Sequence, residues 1–249
     1  MKTVDIISAK DATLHLSKAI LLYESRTGYS HHVYASTHSI DIDASNPTRR
    51  IIGAGTPLKH ADLVDFAAAI NVKTAHTGFV PDSLLYTSPT LMAWWVPAAV
   101  RTTWFKTDYP QIGVAHGQAA HPALVFIATR SSWYVYALRT SARPTTETML
   151  DHAPHFNVND QGLICTGNVQ LPDSLSTNAM AEYERAFFRS HFTHSNRRLT
   201  RPVRSKGGMT GLWANQLAAP SPDAMRRALT STKQTLRTTI ERIANNHQI

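Results

Sequence analysis

The sequence predicts an α+β protein, because strand-like runs come first along the chain and helix-like runs come last. Residues 124–128 and 133–138 are rich in β-branched and aromatic residues, and a turn-sized gap separates them. A third extended stretch covers 143–157, and strands joined by short gaps favour an antiparallel β-meander. Beyond it the apolar residues follow a helical period instead: Met180, Tyr183, Phe187 and Phe188. The sequence therefore predicts an antiparallel meander followed by C-terminal helices.

The N-terminal part of the chain predicts a smaller α/β extension. Runs 13–23 and 31–42 alternate in the manner of strands, and Arg26-Thr27-Gly28 offers a turn between them, so we expect a hairpin. Glycine and proline interrupt the chain within 53–57, and residues 58–70 have the spacing of an amphipathic helix.

The C-terminal part predicts a loop and a final helix. Residues 197–211 are basic and contain glycine, which is typical of a loop. Ser221-Pro222-Asp223 is a helix-start signal. One apolar face of the predicted helix then carries Met225, Leu229, Leu236, Ile240 and Ile243.

Composition excludes several protein classes. A chain of 249 residues with 43% hydrophobic residues can bury its own core, and a single cysteine excludes an internal disulfide. We expect a reducing, cytoplasmic location and no signal peptide. The longest uncharged apolar run, 91–100, is too short to cross a bilayer, so we expect no membrane partner.

The positive charge is concentrated near the C-terminus. The formal net charge is +8, yet residues 1–184 contain 13 basic and 15 acidic side chains. The remaining residues contain 12 basic and two acidic side chains. Such a surface attracts DNA or an acidic protein, although a solvated, solubilising face is the plainer interpretation.

No motif for a cofactor or a metal is present. The chain lacks glycine-rich phosphate-binding and dinucleotide-binding signatures. Two His-x2-His pairs occur, His152 with His155 and His191 with His194, but neither comes with the thiolates or the His-Glu-x2-His helix that zinc sites use. We therefore expect no cofactor and no metal, and a histidine-based metallohydrolase would require stoichiometric zinc.

Cys165 is the residue best placed for covalent chemistry. It follows a loop-forming cluster, Asn159-Asp160-Gln161-Gly162, that ends a strand-like run, so we expect its thiol at the edge of a sheet. The plainer interpretation is a small buried hydrophobic residue.

The residues around Cys165 resemble the active-site segment of ubiquitin-conjugating enzymes. In that family His-Pro-Asn precedes a short loop and Gly-x-Ile-Cys, and here His155-Phe156-Asn157 precedes Gly162-Leu163-Ile164-Cys165. The asparagine lies eight residues before the cysteine, as in common members of the family. Phenylalanine replaces the proline, a change that bears on loop rigidity more than on chemistry.

A wider resemblance is to the bacterial PRTRC system protein B family, also classed as prokaryotic ubiquitin-conjugating-like family D. It runs from about residue 53 to 213 and rests on ordered motifs: Trp94-Trp95-Val96-Pro97, Arg143-Pro144-Thr145, Phe156-Asn157-Val158, Cys165-Thr166-Gly167-Asn168, Phe187-Phe188-x3-Phe192-Thr193-His194 and Leu212-Trp213. The resemblance implies a cassette, often plasmid-borne, that also encodes a ThiF-like adenylating protein and a ParB-related protein.

The resemblance implies a transferase that carries a ubiquitin-like protein as a thioester on Cys165. Asn157 then supplies an amide donor to the oxyanion, unless it is a turn asparagine bonded to its own backbone. His155 either orients Asn157 or packs at the strand end, and Gly162 supplies a turn with positive φ.

The implied domain arrangement has three parts. A hairpin-plus-helix extension covers 1–83, a ubiquitin-conjugating-like core covers 84–213 and a basic helical tail covers 214–249. The alternative function is a non-catalytic adaptor that binds cassette proteins or plasmid DNA through its basic C-terminal region.

Overall fold

The computed structural model describes residues 16–24, 33–69, 79–167, 169–172, 174–197 and 202–246. The chain divides into two compact units, Met1–Ala75 and His76–Ile249.

The described residues of the first unit form a three-stranded antiparallel sheet and one helix. Strands β1 (Lys18–Glu24), β2 (Val33–Asp43) and β3 (Asn46–Pro57) pair in chain order, and helix α1 covers His60–Ala69. The predicted hairpin and helix are confirmed, while its predicted turn at 26–28 lies outside the described residues.

Strand β3 corrects the prediction that glycine and proline break the chain at 53–57. Gly53 and Gly55 lie inside this strand, opposite β2. A methyl group on Gly53 would collide with the Asp41 carboxylate, and one on Gly55 would collide with the His38 ring. The glycines therefore leave room for side chains of the neighbouring strand.

The second unit is built on a six-stranded antiparallel sheet. Its strands, in chain order, are β4 (Leu84–Thr87), β5 (Leu91–Val96), β8 (Ala123–Thr129), β9 (Trp133–Leu138), β10 (Met149–His152) and β12 (Ser231–Thr235). They lie in the order β12-β10-β9-β8-β5-β4. The predicted meander is confirmed by β8, β9 and β10, although β10 is shorter than the extended stretch predicted for 143–157.

Strand β8 is buried along its whole length because both faces of the sheet are covered. Leu124, Phe126 and Ala128 join a core on one face, and Val125 and Ile127 join a core on the other. Burial on both faces explains why the sequence of β8 is an uninterrupted apolar run and not an alternating one.

A smaller mixed sheet lies in the same unit. It consists of β11 (His191–Phe192), β6 (Ala99–Lys106) and β7 (Val114–His121), in that order. Strand β11 pairs with β6 in parallel, while β6 and β7 are antiparallel.

In the part of the chain that the structure describes, four α-helices follow the meander. They are α2 (Met180–Phe188), α3 (Gly208–Ala218), α4 (Pro222–Ala228) and α5 (Leu236–Asn246), and a 3-10 turn at Thr177–Ala179 leads into α2. The predicted apolar period of α2 is confirmed, since Met180, Tyr183 and Phe187 are buried.

Two predictions for the C-terminal region are wrong. The predicted loop at 197–211 gives way to α3 at Gly208. The single final helix is interrupted by β12, which pairs with β10. The run Thr230-Ser231-Thr232 has low helix propensity, and Thr235 and Thr238 exchange hydrogen bonds that cap the start of α5.

The architecture confirms the α+β class with mostly antiparallel sheets and C-terminal helices. In the described ranges, every helix is too short or too polar to span a membrane.

Candidate active site

Residues 157–165 form a compact hairpin-like loop that ends at Cys165. The backbone N–H of Cys165 donates to the Asn157 carbonyl at 2.7 Å, and that of Asn159 donates to the Leu163 carbonyl at 3.0 Å. The Asn159 side-chain oxygen accepts from the N–H groups of Gln161 (2.9 Å) and Leu163 (3.0 Å). Asparagine favours this arrangement because its side chain replaces a backbone acceptor.

The loop rests on β9, beyond the point where β10 stops pairing. The Val135 N–H donates to the Gly162 carbonyl at 2.8 Å, and the Ile164 N–H donates to the Trp133 carbonyl at 3.0 Å. Cys165 is the next residue, and its side chain is exposed. The sheet thus holds the backbone on the N-terminal side of the thiol.

Gly162 lies against the ring of Tyr136. Its φ is +81°, and a methyl group there would lie 2.5 Å from Tyr136 Cζ. The Tyr136 hydroxyl donates to the Gln161 carbonyl and accepts from the Arg242 guanidinium at 2.8 Å. Helix α5, which carries Arg242, is therefore linked to the loop before Cys165.

Arg197 supports the same loop from inside the protein. Its guanidinium lies 3.1 Å from His152 Nδ1 and 3.7 Å from Asp160 Oδ1, and it donates to the Ala153 carbonyl at 2.5 Å. Its side chain is only 1% exposed. Burial lowers the pKa of Arg197 to about 10, with Asp160 acting in the opposite direction. The expectation that this arginine belongs to a basic surface loop is wrong.

Asn157 connects the loop to β11 and the residues after it. Its Oδ1 accepts from the Thr193 N–H (3.1 Å) and hydroxyl (2.8 Å), and its Nδ2 donates to the His191 carbonyl at 3.0 Å. Its own N–H donates to the His194 carbonyl at 2.9 Å. With φ at +63°, Asn157 adopts a conformation that asparagine tolerates better than most residues.

His155 lies in the core. It is 0% exposed, and its Nε2 shares a 3.0 Å hydrogen bond with His121 Nδ1, whose other nitrogen bonds the Thr103 hydroxyl at 2.7 Å. Burial and then His121 lower the pKa of His155 well below its usual value, and burial and then Arg101 lower that of His121 to about 3. Both rings are thus neutral at physiological pH.

Phe156 is the residue that replaces proline in the His-Pro-Asn resemblance stated from the sequence. Its ring is completely buried and packs against Phe105 and Tyr109 at centroid distances of 5.8 and 5.5 Å. An aromatic anchor therefore fixes the chain here in place of a rigid pyrrolidine ring.

Cys165 opens onto a groove of about 470 Å³ between its loop and the end of α2. Asn157 and Thr193 line it, together with the basic or titratable side chains Lys106, Arg189, His191 and His194. The described lining residues include no carboxylate. The thiol therefore faces a basic groove that a partner protein can reach.

Sequence reasoning missed Thr193 and Arg189, which line this groove. Thr193 belongs to the Phe187-Phe188-x3-Phe192-Thr193-His194 motif, whose aromatic residues pointed to helix packing. Helix α2 ends before that motif does, so its last residues turn toward Cys165. The feature that could have identified these residues is the polar end of the motif, Thr193-His194, which the helical spacing of apolar residues does not explain.

No metal site is formed by the part of the chain that the structure describes, where three or more His, Cys, Asp or Glu side chains nowhere converge. Comparison with curated proteins and with solved structures gave no match. The family model described as prokaryotic E2 family D matches residues 60–227, a span that includes β4 to β11 and the whole groove. The resemblance stated from the sequence is confirmed, and the chain belongs to prokaryotic E2 family D.

Proposed function

We propose that this protein carries a ubiquitin-like protein as a thioester on Cys165 and transfers it to an amine. In loading, the Cys165 thiolate attacks the carbonyl carbon of a thioester held by an adenylating partner; the bond to Cys165 forms and the partner's thiolate leaves. In discharge, an acceptor amine attacks the same carbon, a C–N bond forms and the Cys165 thiolate leaves. The surplus proton of the amine passes to solvent.

The exposed thiol on a fixed loop is the observation that carries this proposal. Cys165 is solvent-exposed although its own N–H and that of Ile164 are hydrogen-bonded to neighbouring carbonyls. A structural cysteine is usually buried, whereas a relay needs a thiol that two large partners reach in turn. Membership of an E2-like family adds independent support, because such families act with E1-like and ubiquitin-like proteins.

Asn157 is the oxyanion donor in this proposal. Its amide nitrogen carries two hydrogens, and one of them is directed at the His191 carbonyl. The bonds from Thr193 to the side-chain oxygen fix the plane of the amide. A donor held in this way needs no reorganisation when charge develops on the carbonyl oxygen. His155 and Gly162 are supporting residues in this proposal: His155 packs in the core just before the loop, and Gly162 provides a turn with positive φ within it.

We propose residues 84–213 as the conjugating-like core, preceded by an extension at 1–83 and followed by a basic segment at 214–249. That last segment also contributes to folding, because Leu236, Ile240 and Ile243 of α5 are buried against the sheet. The proposed partners are a ThiF-like adenylating protein, on which ATP is consumed, and a ubiquitin-like protein.

A non-reducing gel tests the relay directly. The protein is incubated with the ThiF-like partner, ATP and the ubiquitin-like protein of its cassette, and wild type is compared with Cys165→Ser and Cys165→Ala. We expect a thiol-sensitive adduct on wild type, a thiol-resistant ester on Cys165→Ser and no adduct on Cys165→Ala. Cys165 is the only cysteine of the chain, so a thiol-sensitive adduct has a single possible site.

Absence of the adduct, together with failure of folded Cys165 to react with a small thiol reagent, would refute the relay. The adaptor function would then take its place. Its DNA-binding form predicts affinity that falls steeply with salt, because phosphate contacts release counterions.

A further inference from the structure

A second groove, of about 860 Å³, lies between β6 and α2. Three arginines line it: Arg101 of β6, Arg185 of α2 and Arg189 just after α2. Trp104 and Phe188 supply apolar surface. A groove of this size accommodates several side chains of an extended peptide.

Among the described residues, the arginines of this groove form no short ion pair. The Arg101 guanidinium lies 4.4 Å from the centre of the Phe188 ring, and its buried Nε has no hydrogen-bond partner. Within the described part of the chain, Arg185 pairs only with Glu182, at 3.8 Å, and both of these side chains are more than half exposed. An ion pair of that length and exposure contributes little, so the arginines remain available to an anionic ligand.

One carboxylate, Glu184, also lines the groove. Its side chain accepts a 3.1 Å hydrogen bond from Trp94 Nε1. A phosphate backbone, which is negative throughout, would be repelled by this group, whereas a peptide can place a basic or neutral residue beside it. The mixed charge and the apolar Phe188 therefore favour a peptide over a nucleic acid.

The second groove borders the groove at Cys165, because Arg189 and His191 line both. A segment bound along α2 would thus end beside the groove that holds the thiol.

We propose that the groove formed by Arg101, Arg185 and Arg189 binds an acidic segment of the acceptor protein and so presents a nearby amine to the Cys165 thioester. This proposal rests on the proposed relay, because it assigns the groove to the acceptor. Acceptor choice then depends on glutamate or aspartate residues beside the modified lysine.

Equilibrium binding tests the groove separately from the relay. The full chain carrying Cys165→Ala, which forms no thioester, is titrated into a fluorescent peptide with a central lysine flanked by glutamates. A peptide with glutamine at the same positions and a mixed-sequence single-stranded DNA are compared with it. A triple variant, Arg101→Gln with Arg185→Gln and Arg189→Gln, removes the groove charges. The matched control replaces Arg226, Arg227 and Arg237 by glutamine in the same way. These three arginines are exposed and lie outside the described lining of both grooves.

We expect the glutamate peptide to bind, the groove variant to weaken binding about 10-fold and the control variant to weaken it less than about twofold. Equal binding of the glutamine peptide, or equal weakening by both variants, would overturn the proposal. DNA binding that is tighter than peptide binding and lost in the groove variant would assign the groove to nucleic acid instead.

A single-turnover assay then connects the groove to transfer. With Cys165 intact, we use the double variant Arg101→Gln with Arg185→Gln, because these two arginines lie outside the described lining of the Cys165 groove. We expect it to load normally and to discharge onto the glutamate-flanked lysine about 10-fold more slowly. Normal discharge would overturn the acceptor role even if the peptide binds. Failure of the wild-type protein to load would refute the relay, whereas failure of the variant alone would overturn the assignment of this groove to the acceptor.

Discussion

Gly162 and Gly167 lie on either side of Cys165, and both adopt left-handed backbone conformations, with φ at +81° and +54°. An alanine at either position would destabilise the folded protein by about 1–2 kcal/mol, because a residue with a Cβ atom is strained in this backbone conformation. The positions differ in their surroundings, because a methyl group at Gly162 meets the Tyr136 ring, whereas one at Gly167 meets no described atom within 4 Å. Substituting each in turn therefore separates backbone strain from packing.

The Tyr136 ring has little freedom to move away from an added methyl group. The residue is 1% exposed, and its hydroxyl is bonded to Gln161 and Arg242. Overpacking at such a site costs about 1–3 kcal/mol. We expect Gly162→Ala to lower the free energy of unfolding by about 2–5 kcal/mol and Gly167→Ala by about 1–2 kcal/mol.

Urea denaturation of both variants and of wild type measures the difference. A Gly162→Ala variant no less stable than Gly167→Ala would refute the reasoning that Tyr136 fixes the loop. The double variant Gly162→Ala with Tyr136→Leu provides a further check, because leucine lacks the colliding atoms. We expect the two substitutions together to cost less than the sum of their separate effects.

Three further outcomes are expected. Asn157→Asp, which removes the amide donor, should slow discharge of the thioester about 100-fold in single-turnover assays, and an unchanged rate would leave Asn157 a purely structural role. Arg242→Met should cost about 1–3 kcal/mol of stability in urea by removing the bond to Tyr136, and should raise the rate at which Cys165 reacts with a small thiol reagent; unchanged stability and reactivity would show that α5 does not support the loop. Burial, and then Arg197, lower the pKa of His152 to about 4, so the unfolded chain takes up the proton first and stability is lost as pH falls from about 6.5 toward 4. His152→Gln should reduce that loss of stability by about 2 kcal/mol after allowance for partial exposure. Urea titrations at both ends of this pH range measure the loss, and an equal loss in wild type and variant would contradict the expectation.

Elements with a regular local pattern could be predicted from the sequence. The β8–β9 hairpin and α2 are such elements, because the spacing of their apolar residues coincides with the residues that the fold buries. Strand β12 could not be predicted in this way. Its residues are polar, and they become a strand only by pairing with β10, about 80 residues earlier in the chain.

The candidate site was predicted only in its local part. Cys165, Asn157 and Gly162 are close in sequence, and a short motif contains all three. Thr193 holds the Asn157 side chain from 36 positions away, and Arg197 reaches His152 across 45 positions. No periodicity connects residues at such separations, so their partnership emerges only when the sheet and α2 are assembled.

The arginines that give the C-terminal region its positive charge lie in different environments. Arg197 and Arg242 hold the loop before Cys165 through Asp160 and Tyr136. The charge distribution along the sequence predicts that these two arginines belong to a basic surface, but in the structure their guanidinium groups bond to residues of the loop and of β9.

Arg185 and Arg189 line the groove beside α2, where an anionic ligand can reach them. Arg226 and Arg227 are exposed on α4, outside the described lining of either groove near Cys165. A DNA-binding adaptor would depend on exposed arginines such as Arg226 and Arg227, whereas acceptor recognition depends on the groove arginines. The charge count alone cannot separate the two functions, but the matched triple variants can, because each removes the same charge from a different place.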